Sequence, residues 1–266
     1  MKISIITAVY NQSSHIKDAV ESVLSQDYPD IEYIVVDGGS TDGTLDVLKE
    51  YEDRIDKFVT EDDEGLYDAL NKGILMATGE YIGFLHSDDL FYDTHVVSRI
   101  AEELERTNCD LFYADGIFTP SSNPYVVLRD WVSGKFSRWK VKMGWLPLHP
   151  TTYIRKSVYL AKDLYDPTYQ IAGDTELLIR YLLDKSLKVT YLHQYVVRMR
   201  MGGMSTTVWS TRDKWYEDLN AYGTNGLSPL ALVGKRISKL PQMLCNKSFY
   251  GYMIRKAIKK ITEKQS

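Results

Sequence analysis

The chain has 266 residues, of which 44% are hydrophobic and 26% are charged. This composition is typical of a globular protein, and the length allows a sizeable core. No stretch reaches eighteen apolar residues, so no membrane-spanning helix is predicted. The apolar run 3–9 is too short for a signal peptide. Two cysteines, Cys109 and Cys245, provide neither a disulfide framework nor metal-ligand spacing, which favours a reducing cytoplasm.

The net charge of −4 is unevenly distributed along the chain. From Gly234 to the C-terminus there are nine Lys or Arg residues and one acid, Glu263. Apolar and aromatic residues alternate with these bases, a pattern typical of helices that lie on anionic bilayer surfaces. The alternative is a helix whose apolar side packs on the rest of the protein. Nucleic acid is not an expected partner, because the basic run is terminal and the remaining chain is acidic.

The first 115 residues alternate between strands and helices. We predict strands at 2–10, 31–37, 55–61, 79–85 and 109–115, and helices at 15–26, 41–52, 65–78 and 95–106. This alternation predicts an α/β fold, in which a Rossmann-like, mostly parallel central sheet has helices on both faces.

The alternation ends after Gly116. We predict a turn-rich segment, a loop and strand within 146–159, a helix at 173–187 and one or two strands at 188–200. From about Ser205 the sequence predicts helical segments that are interrupted near Gly226 and Pro241.

Two adjacent carboxylates, Asp88 and Asp89, directly follow a predicted strand, and Asp37 ends another. Ligands of open parallel sheets bind beyond the carboxyl ends of the strands. Carboxylates gathered there repel one another unless a cation lies between them, and oxygen ligands suit Mg²⁺ or Mn²⁺. The sequence therefore predicts a metal that joins the protein to a diphosphate. The alternative is that the pair caps a helix near Asp93.

The turn after the first strand excludes two nucleotide-binding motifs. The sequence "TAVYNQSSHI" contains no glycine, so it is neither a dinucleotide fingerprint nor a phosphate loop. A nucleotide held through its base, its ribose and a metal is compatible with this turn.

Three segments resemble family 2 glycosyltransferases, which have the GT-A fold. The stretch "SIITAVYNQSSHIKDAVESVLSQDYPDIEYIVVDGGSTDGT" looks like the start of such an enzyme. The stretch "DEGLYDALNKGILMATGEYIGFLHSDD" is similar to the part that carries the DxD-type motif, and "IAGDTELLIRY" occupies the place of the catalytic-base motif. The resemblance is strongest with bacterial enzymes that build surface polysaccharides.

The resemblance also implies a division of the chain. A GT-A domain would span residues 1–205, with a nucleotide-sugar-binding half at 1–115 and an acceptor half at 116–205. Residues 206–266 would then form a basic, helical C-terminal extension.

Five residues are expected to contact the nucleoside part of the donor. The resemblance implies that Thr7, Ala8 and Tyr10 line the nucleobase pocket. It further implies that Asp37 hydrogen-bonds the base or ribose, and that Asp88 faces the ribose and sugar.

Five others are expected to contact the reacting groups. The resemblance implies that Asp89 binds Mn²⁺ or Mg²⁺, that Asp174 is the general base, and that Asn71 and Lys72 lie near the donor sugar. Arg200, together with the glycines that follow it, indicates a loop that closes on the diphosphate; a simple turn is the alternative.

The sequence departs from the family pattern at two positions. His86 stands where such enzymes usually have Asn, and it either adds a weak metal contact or is simply packed. Gly173 precedes the predicted base, where Glu is common. His149 resembles an acceptor-side histidine, with structural packing as the alternative.

Together these features predict a metal-dependent, inverting glycosyltransferase. The donor would be a nucleotide sugar, most often a UDP-sugar in this family, and the acceptor a saccharide or lipid-linked saccharide at the cytoplasmic membrane face. One alternative, a sugar-1-phosphate nucleotidyltransferase, needs a glycine-rich loop that "AVYNQSSH" lacks. The other is a non-catalytic nucleotide-sugar binding module.

Overall fold

The computed structural model describes residues 1–202 and 210–235. The strands are β1 (Ile3–Val9), β2 (Ile31–Asp37), β3 (Lys57–Thr60), β4 (Tyr81–Phe84), β5 (Leu90–Phe91), β6 (Leu111–Pro120), β7 (Arg129–Trp131), β8 (Tyr153–Arg155) and β9 (Val189–Met201). The α-helices are α1 (Ile16–Leu24), α2 (Thr44–Lys49), α3 (Leu66–Met76), α4 (Val96–Thr107), α5 (Arg138–Lys142), α6 (Lys156–Ala161), α7 (Gly173–Leu183) and α8 (Ser210–Thr224). Most of the predicted basic tail lies outside the described residues.

The strands form a single mixed sheet in the order β3-β2-β1-β4-β8-β6-β9-β5, and β7 pairs with β6. Strands β1 to β4 pair in parallel, and β9 is parallel to β6. Strand β8 runs antiparallel between β4 and β6, so β6 keeps the direction of β1. Six of the described strands therefore share one direction, which confirms the predicted mostly parallel α/β sheet.

Apolar side chains pack on both faces of this sheet because they alternate along each strand. On β1, Ile3 and Ile5 join the cluster under α1 and α4, whereas Ile6 and Ala8 join the cluster under α3 and α7. These helices bury their apolar faces against the sheet, as the periodicity of the sequence predicts.

The second half of the chain differs from the prediction at Gly116. The strand was expected to end at residue 115, but β6 continues to Pro120. A Cβ atom at Gly116 would lie 2.7 Å from Leu148 and 2.8 Å from Val197, so the glycine permits close packing here instead of forming a turn. The short elements β5, β7, α5 and α6 were not predicted either, because two to six residues carry little periodicity.

The described part of the C-terminal extension packs on the main body. Tyr222 of α8, Ala231 and Leu232 form a buried cluster with Ile179 of α7. Among the described helices, none combines the length and apolarity needed to cross a bilayer.

Candidate active site

A cavity of about 1500 Å³ opens at the carboxyl ends of the parallel strands. Its floor comes from residues that follow four strands: Tyr10 after β1, Gly38 after β2, Asp62 after β3 and Asp88 after β4. Since parallel strands end at one edge, residues far apart in sequence meet there.

Asp88 and Asp89 both line this cavity, and Asp89 is 1% exposed. Oδ1 of Asp89 accepts a hydrogen bond of 2.9 Å from the main-chain N–H of Arg200. Oδ2 is buried and has no hydrogen-bond partner among the residues that the structure describes. Strand β5 follows the pair and α4 begins only at Val96, so the alternative of a helix cap is wrong.

The surroundings of Asp89 disfavour the ionised form of its carboxyl group. Burial, and then the charge of Asp88, hold the pKa of the Asp89 carboxyl well above its usual range, and Arg200 offsets this only in part. Within the described residues, no group of three or more His, Cys, Asp or Glu could hold a metal by itself. A cation at Asp89 would thus need further ligands from a substrate.

Arg200 connects this carboxylate turn to α1. Its Nη1 donates to the main-chain oxygen of Asp88 at 3.1 Å, and its Nη2 is hydrogen-bonded to Asp18. The side chain is 4% exposed yet lines the cavity. Arg200 therefore orders the turn as well as contributing positive charge.

Asp174 lines the cavity from the first turn of α7. Its Oδ1 accepts a hydrogen bond of 2.7 Å from the N–H of Thr175, while Ala172 occupies the N-cap position. Burial alone would raise the pKa of the Asp174 carboxyl, but the nearby charges of Lys214 and Lys235 help to hold it below its usual value. Asp174 is thus an ionised carboxylate at neutral pH.

The two histidines singled out in the sequence stack on each other. The rings of His86 and His149 are 5.7 Å apart, and His149 also stacks on Phe84 at 5.5 Å. Nε2 of His149 is 2.6 Å from the hydroxyl of Tyr165. Burial lowers the pKa of His149 to about 4, so both rings form a neutral, packed part of the cavity wall.

Of the residues expected to contact the nucleoside, Ala8, Tyr10 and Asp88 line the cavity. Thr7 is instead buried in the sheet, where its Oγ1 donates to the main-chain oxygen of Leu85 at 2.8 Å. Ala8 and Thr7 differ because neighbouring residues of a strand point to opposite faces.

Asp37 is fully buried and builds the turn after β2. Its Oδ2 accepts hydrogen bonds from the N–H groups of Gly39 and Ser40 and from the hydroxyl of Thr60, at 2.7 to 3.1 Å. Its Oδ1 is buried and accepts no hydrogen bond from the described part of the chain. Asp37 does not itself line the cavity as described, but Gly38 and Gly39 do.

Neither Asn71 nor Lys72 is among the described residues that line the cavity. The Asn71 side chain makes two hydrogen bonds to the main chain of Tyr165, at 2.8 and 3.0 Å. Lys72 pairs with Glu61 at 2.9 Å and with Asp63 at 2.5 Å. Their expected roles near the donor sugar stay predictions.

The far wall of the cavity contains residues that the sequence analysis did not select. Trp131, Trp139 and Trp145 line it, as do Lys214 and Lys235 of the C-terminal extension. The segment that contains the three tryptophans does stand out in the sequence by its charge. Residues 131–162 contain seven Lys or Arg and no Asp or Glu. No such signal marks Lys214, whose position depends on how α8 packs.

The cavity thus contains a buried carboxyl group, Asp89, and an ionised carboxylate, Asp174, on a mixed α/β sheet. The profile of the family described as "Glycosyl transferase family 2" matches residues 4–166. The chain belongs to family 2 of the glycosyltransferases. The match covers more than half of this family 2 chain, including the carboxylate turn, whereas Asp174 and α8 lie beyond it.

This family 2 chain is similar in sequence to a protein of Bacillus subtilis. The putative teichuronic acid biosynthesis glycosyltransferase TuaG is 36% identical over 125 residues, which are 46% of this chain and 50% of TuaG. The matched part thus spans half the length of that relative.

Two solved structures share the GT-A fold of this family 2 chain. S. aureus TarS 1–349 in complex with UDP-GlcNAc has a TM-score of 0.68 at 19% identity, and the match covers 85% of this chain and 66% of that one. The mannosyltransferase PcManGT from Pyrobaculum calidifontis, in complex with GDP-Man and Mn²⁺, has a TM-score of 0.61 at 15% identity, with 98% and 80% covered.

Proposed function

We propose that this chain transfers a sugar from a nucleotide-sugar donor, a UDP-sugar, to a saccharide or lipid-linked saccharide, with inversion at the anomeric carbon. The transfer would serve the assembly of a cell-surface polysaccharide. The observation that carries the proposal is that Asp89 and Asp174, from distant parts of the chain, line one cavity. One offers a buried oxygen without a partner, and the other an ionised carboxylate.

Asp89 is the residue that would hold a divalent cation, Mn²⁺ or Mg²⁺. Its partnerless Oδ2 and raised pKa fit a carboxylate that gains from a nearby positive charge. A bound cation would neutralise the charge that develops on the departing diphosphate. The Mn²⁺ complex of PcManGT supports a metal in a chain of this fold.

Asp174 would act as the general base. The acceptor hydroxyl oxygen forms a bond to the anomeric carbon while the bond from that carbon to the diphosphate oxygen breaks. The hydroxyl proton passes to the Asp174 carboxylate, and the nucleoside diphosphate leaves with the electron pair. A single displacement of this kind inverts the anomeric configuration.

The donor side of the cavity would bind the nucleotide. Ala8, Tyr10 and Asp88 line it and are proposed to contact the nucleoside. The UDP-GlcNAc complex of TarS supports UDP, and the GDP-Man complex of PcManGT makes GDP the alternative to test.

The cavity wall around α5 supports the proposal of an acceptor carried at a membrane surface. Trp139 of α5 and Met143, which directly follows that helix, line the cavity, yet they are 68% and 48% exposed. Exposed Lys142 lies between them, within the segment that carries bases and no acids. Tryptophan and lysine together favour the interface of an anionic bilayer. We therefore propose that the chain acts on the cytoplasmic face of a membrane, with the basic extension as a second contact.

Calorimetric titration of UDP, GDP, CDP and dTDP, each with and without Mn²⁺, tests the donor site. We expect one nucleotide to bind more tightly with Mn²⁺, and Asp89→Ala to lose this gain. Absence of binding by any nucleotide would contradict the proposal.

Asp174→Asn separates catalysis from binding. We expect this variant to bind the nucleotide like the wild type and to lose sugar transfer. A wild-type chain that binds the nucleotide sugar but never transfers it would instead be a binding module.

A further inference from the structure

The segment that leads into Asp174 is held by a helix from the C-terminal extension. The Glu217 carboxylate of α8 accepts hydrogen bonds from three successive main-chain N–H groups. The distances are 3.0 Å from Gln170, 2.8 Å from Ile171 and 2.8 Å from Ala172. Hydrogen bonds to a carboxylate are stronger than those between neutral groups, so Glu217 restrains the main chain of this segment.

Tyr67 of α3 packs its ring against Gly173, the residue that directly precedes Asp174. A Cβ atom at position 173 would lie 2.8 Å from the Tyr67 ring, which explains the glycine before the predicted base. The segment before Asp174 is thus bonded by Glu217 of α8 and packed against Tyr67 of α3.

Helix α8 is itself fixed to the body of the protein. Tyr222 is fully buried, and its hydroxyl donates to the main-chain oxygen of Gly144 at 3.3 Å. On the same helix, Lys214 lines the cavity and its charge favours the ionised form of Asp174. Glu217 therefore belongs to a packed helix from which Lys214 also reaches the cavity.

We propose that Glu217 is a positioning residue for Asp174, which it keeps in place at the cavity by fixing residues 170–172. This inference rests on the proposed role of Asp174 as the base. The carboxylate is needed because three N–H donors converge on it. A glutamine would present one oxygen and one NH₂ group, so at least one of the three donors would lose its acceptor.

The first test compares Glu217→Gln with Asp213→Asn, a matched change of acid to amide at an exposed position of the same helix. Because a small misplacement of a catalytic group costs on the order of 100-fold in rate, we expect kcat of Glu217→Gln to fall about 10- to 100-fold. The donor KM and the UDP affinity should stay within about twofold, which shows that the donor half is folded. Asp213→Asn should match the wild type.

Glu217→Asp provides the conservative rescue. Its carboxylate keeps the charge and both oxygens, so kcat should recover in part, to a value between those of Glu217→Gln and the wild type. A wild-type kcat in Glu217→Gln would overturn the proposal. A loss of UDP affinity in proportion to kcat would also overturn it, since Glu217 would then have a general structural role.

A double variant distinguishes this proposal from the assignment of the base. If Glu217 acts through Asp174, Glu217→Gln should lower transfer no further once Asp174→Asn is present. Full transfer by Asp174→Asn would overturn the assigned base and this inference with it. Loss of transfer in Asp174→Asn beside wild-type activity in Glu217→Gln would overturn the positioning role alone.

Discussion

The main-chain N–H of Arg200 donates a hydrogen bond of 2.9 Å to Oδ1 of Asp89, across 111 residues of sequence. The bond joins the C-terminal end of β9 to the carboxylate turn after β4. It leaves Oδ2 of Asp89 as the oxygen available to a cation. The Arg200 side chain then bonds Asp88 and Asp18, so one residue fixes the turn by its main chain and by its guanidinium.

Arg200→Lys should weaken metal-dependent nucleotide binding. The main-chain hydrogen bond to Asp89 is kept. A lysine, however, lacks the planar guanidinium whose two nitrogens bond Asp88 and Asp18 at the same time. We expect calorimetry to show UDP affinity in Mn²⁺ lower by about tenfold, or ~1.4 kcal/mol. Arg198→Lys is the control, because its guanidinium contacts Tyr92 and Tyr125. Equal affinity in Arg200→Lys and wild type would contradict this role.

Glu32→Gln should destabilise the fold in a pH-dependent way. Burial would raise the pKa of Glu32, but Lys57, Ser4 and Thr78 bond its carboxylate and lower the pKa from 4.5 to about 2. Because the folded pKa is depressed, the stabilisation is present above the unfolded pKa and is lost as pH falls toward about 2. A shift of this size corresponds to ~3 kcal/mol at neutral pH.

Urea unfolding of Glu32→Gln and wild type at several pH values measures this difference. The gap in unfolding free energy should be largest at pH 7 and should shrink in acid. Exposed Glu52→Gln is the matched control. A gap that did not change with pH would mean that Glu32 acts through packing alone.

Gly173→Ala should destabilise the protein and lower transfer. The added methyl group would lie 2.8 Å from the Tyr67 ring, and we expect a loss of about 1–3 kcal/mol in unfolding free energy from overpacking. Gly223→Ala in α8 is the control, because nothing lies within 4 Å of its Cβ position. That change should stabilise the helix by ~0.5–1 kcal/mol. A harmless Gly173→Ala would show that Tyr67 can move aside.

The double variant Trp139→Ser and Met143→Ser should bind anionic vesicles less well. Removal of two exposed apolar side chains lowers the area that can enter the bilayer interface. In cosedimentation with phosphatidylglycerol vesicles we expect at least a fivefold lower partition coefficient, since one such side chain contributes roughly 1.5–3 kcal/mol when fully buried. Leu75→Ser with Leu160→Ser is the control, because these leucines are 61% and 60% exposed elsewhere. Equal losses in both double variants would contradict a surface at α5.

Much of the first half of the fold can be predicted from the amino-acid sequence. The spacing of apolar residues predicts strands β1 to β4 and the helices between them, because each of these elements is long enough for the spacing to be recognised. It also placed Asp88 and Asp89 on the edge where ligands bind, since parallel strands end together. The family followed from three motifs in order, and the profile match to residues 4–166 agrees with it.

Only the tertiary structure decided which side chains reach the cavity. The Thr7 side chain is hydrogen-bonded within the sheet, whereas Ala8 lines the cavity. One carboxylate oxygen of Asp37 accepts a hydrogen bond from the turn that follows β2. The contacts of Glu217 with Ala172 and of Arg200 with Asp89 span 45 and 111 residues. Such contacts depend on how complete helices and strands pack, and local periodicity carries no information about partners so far apart in the chain.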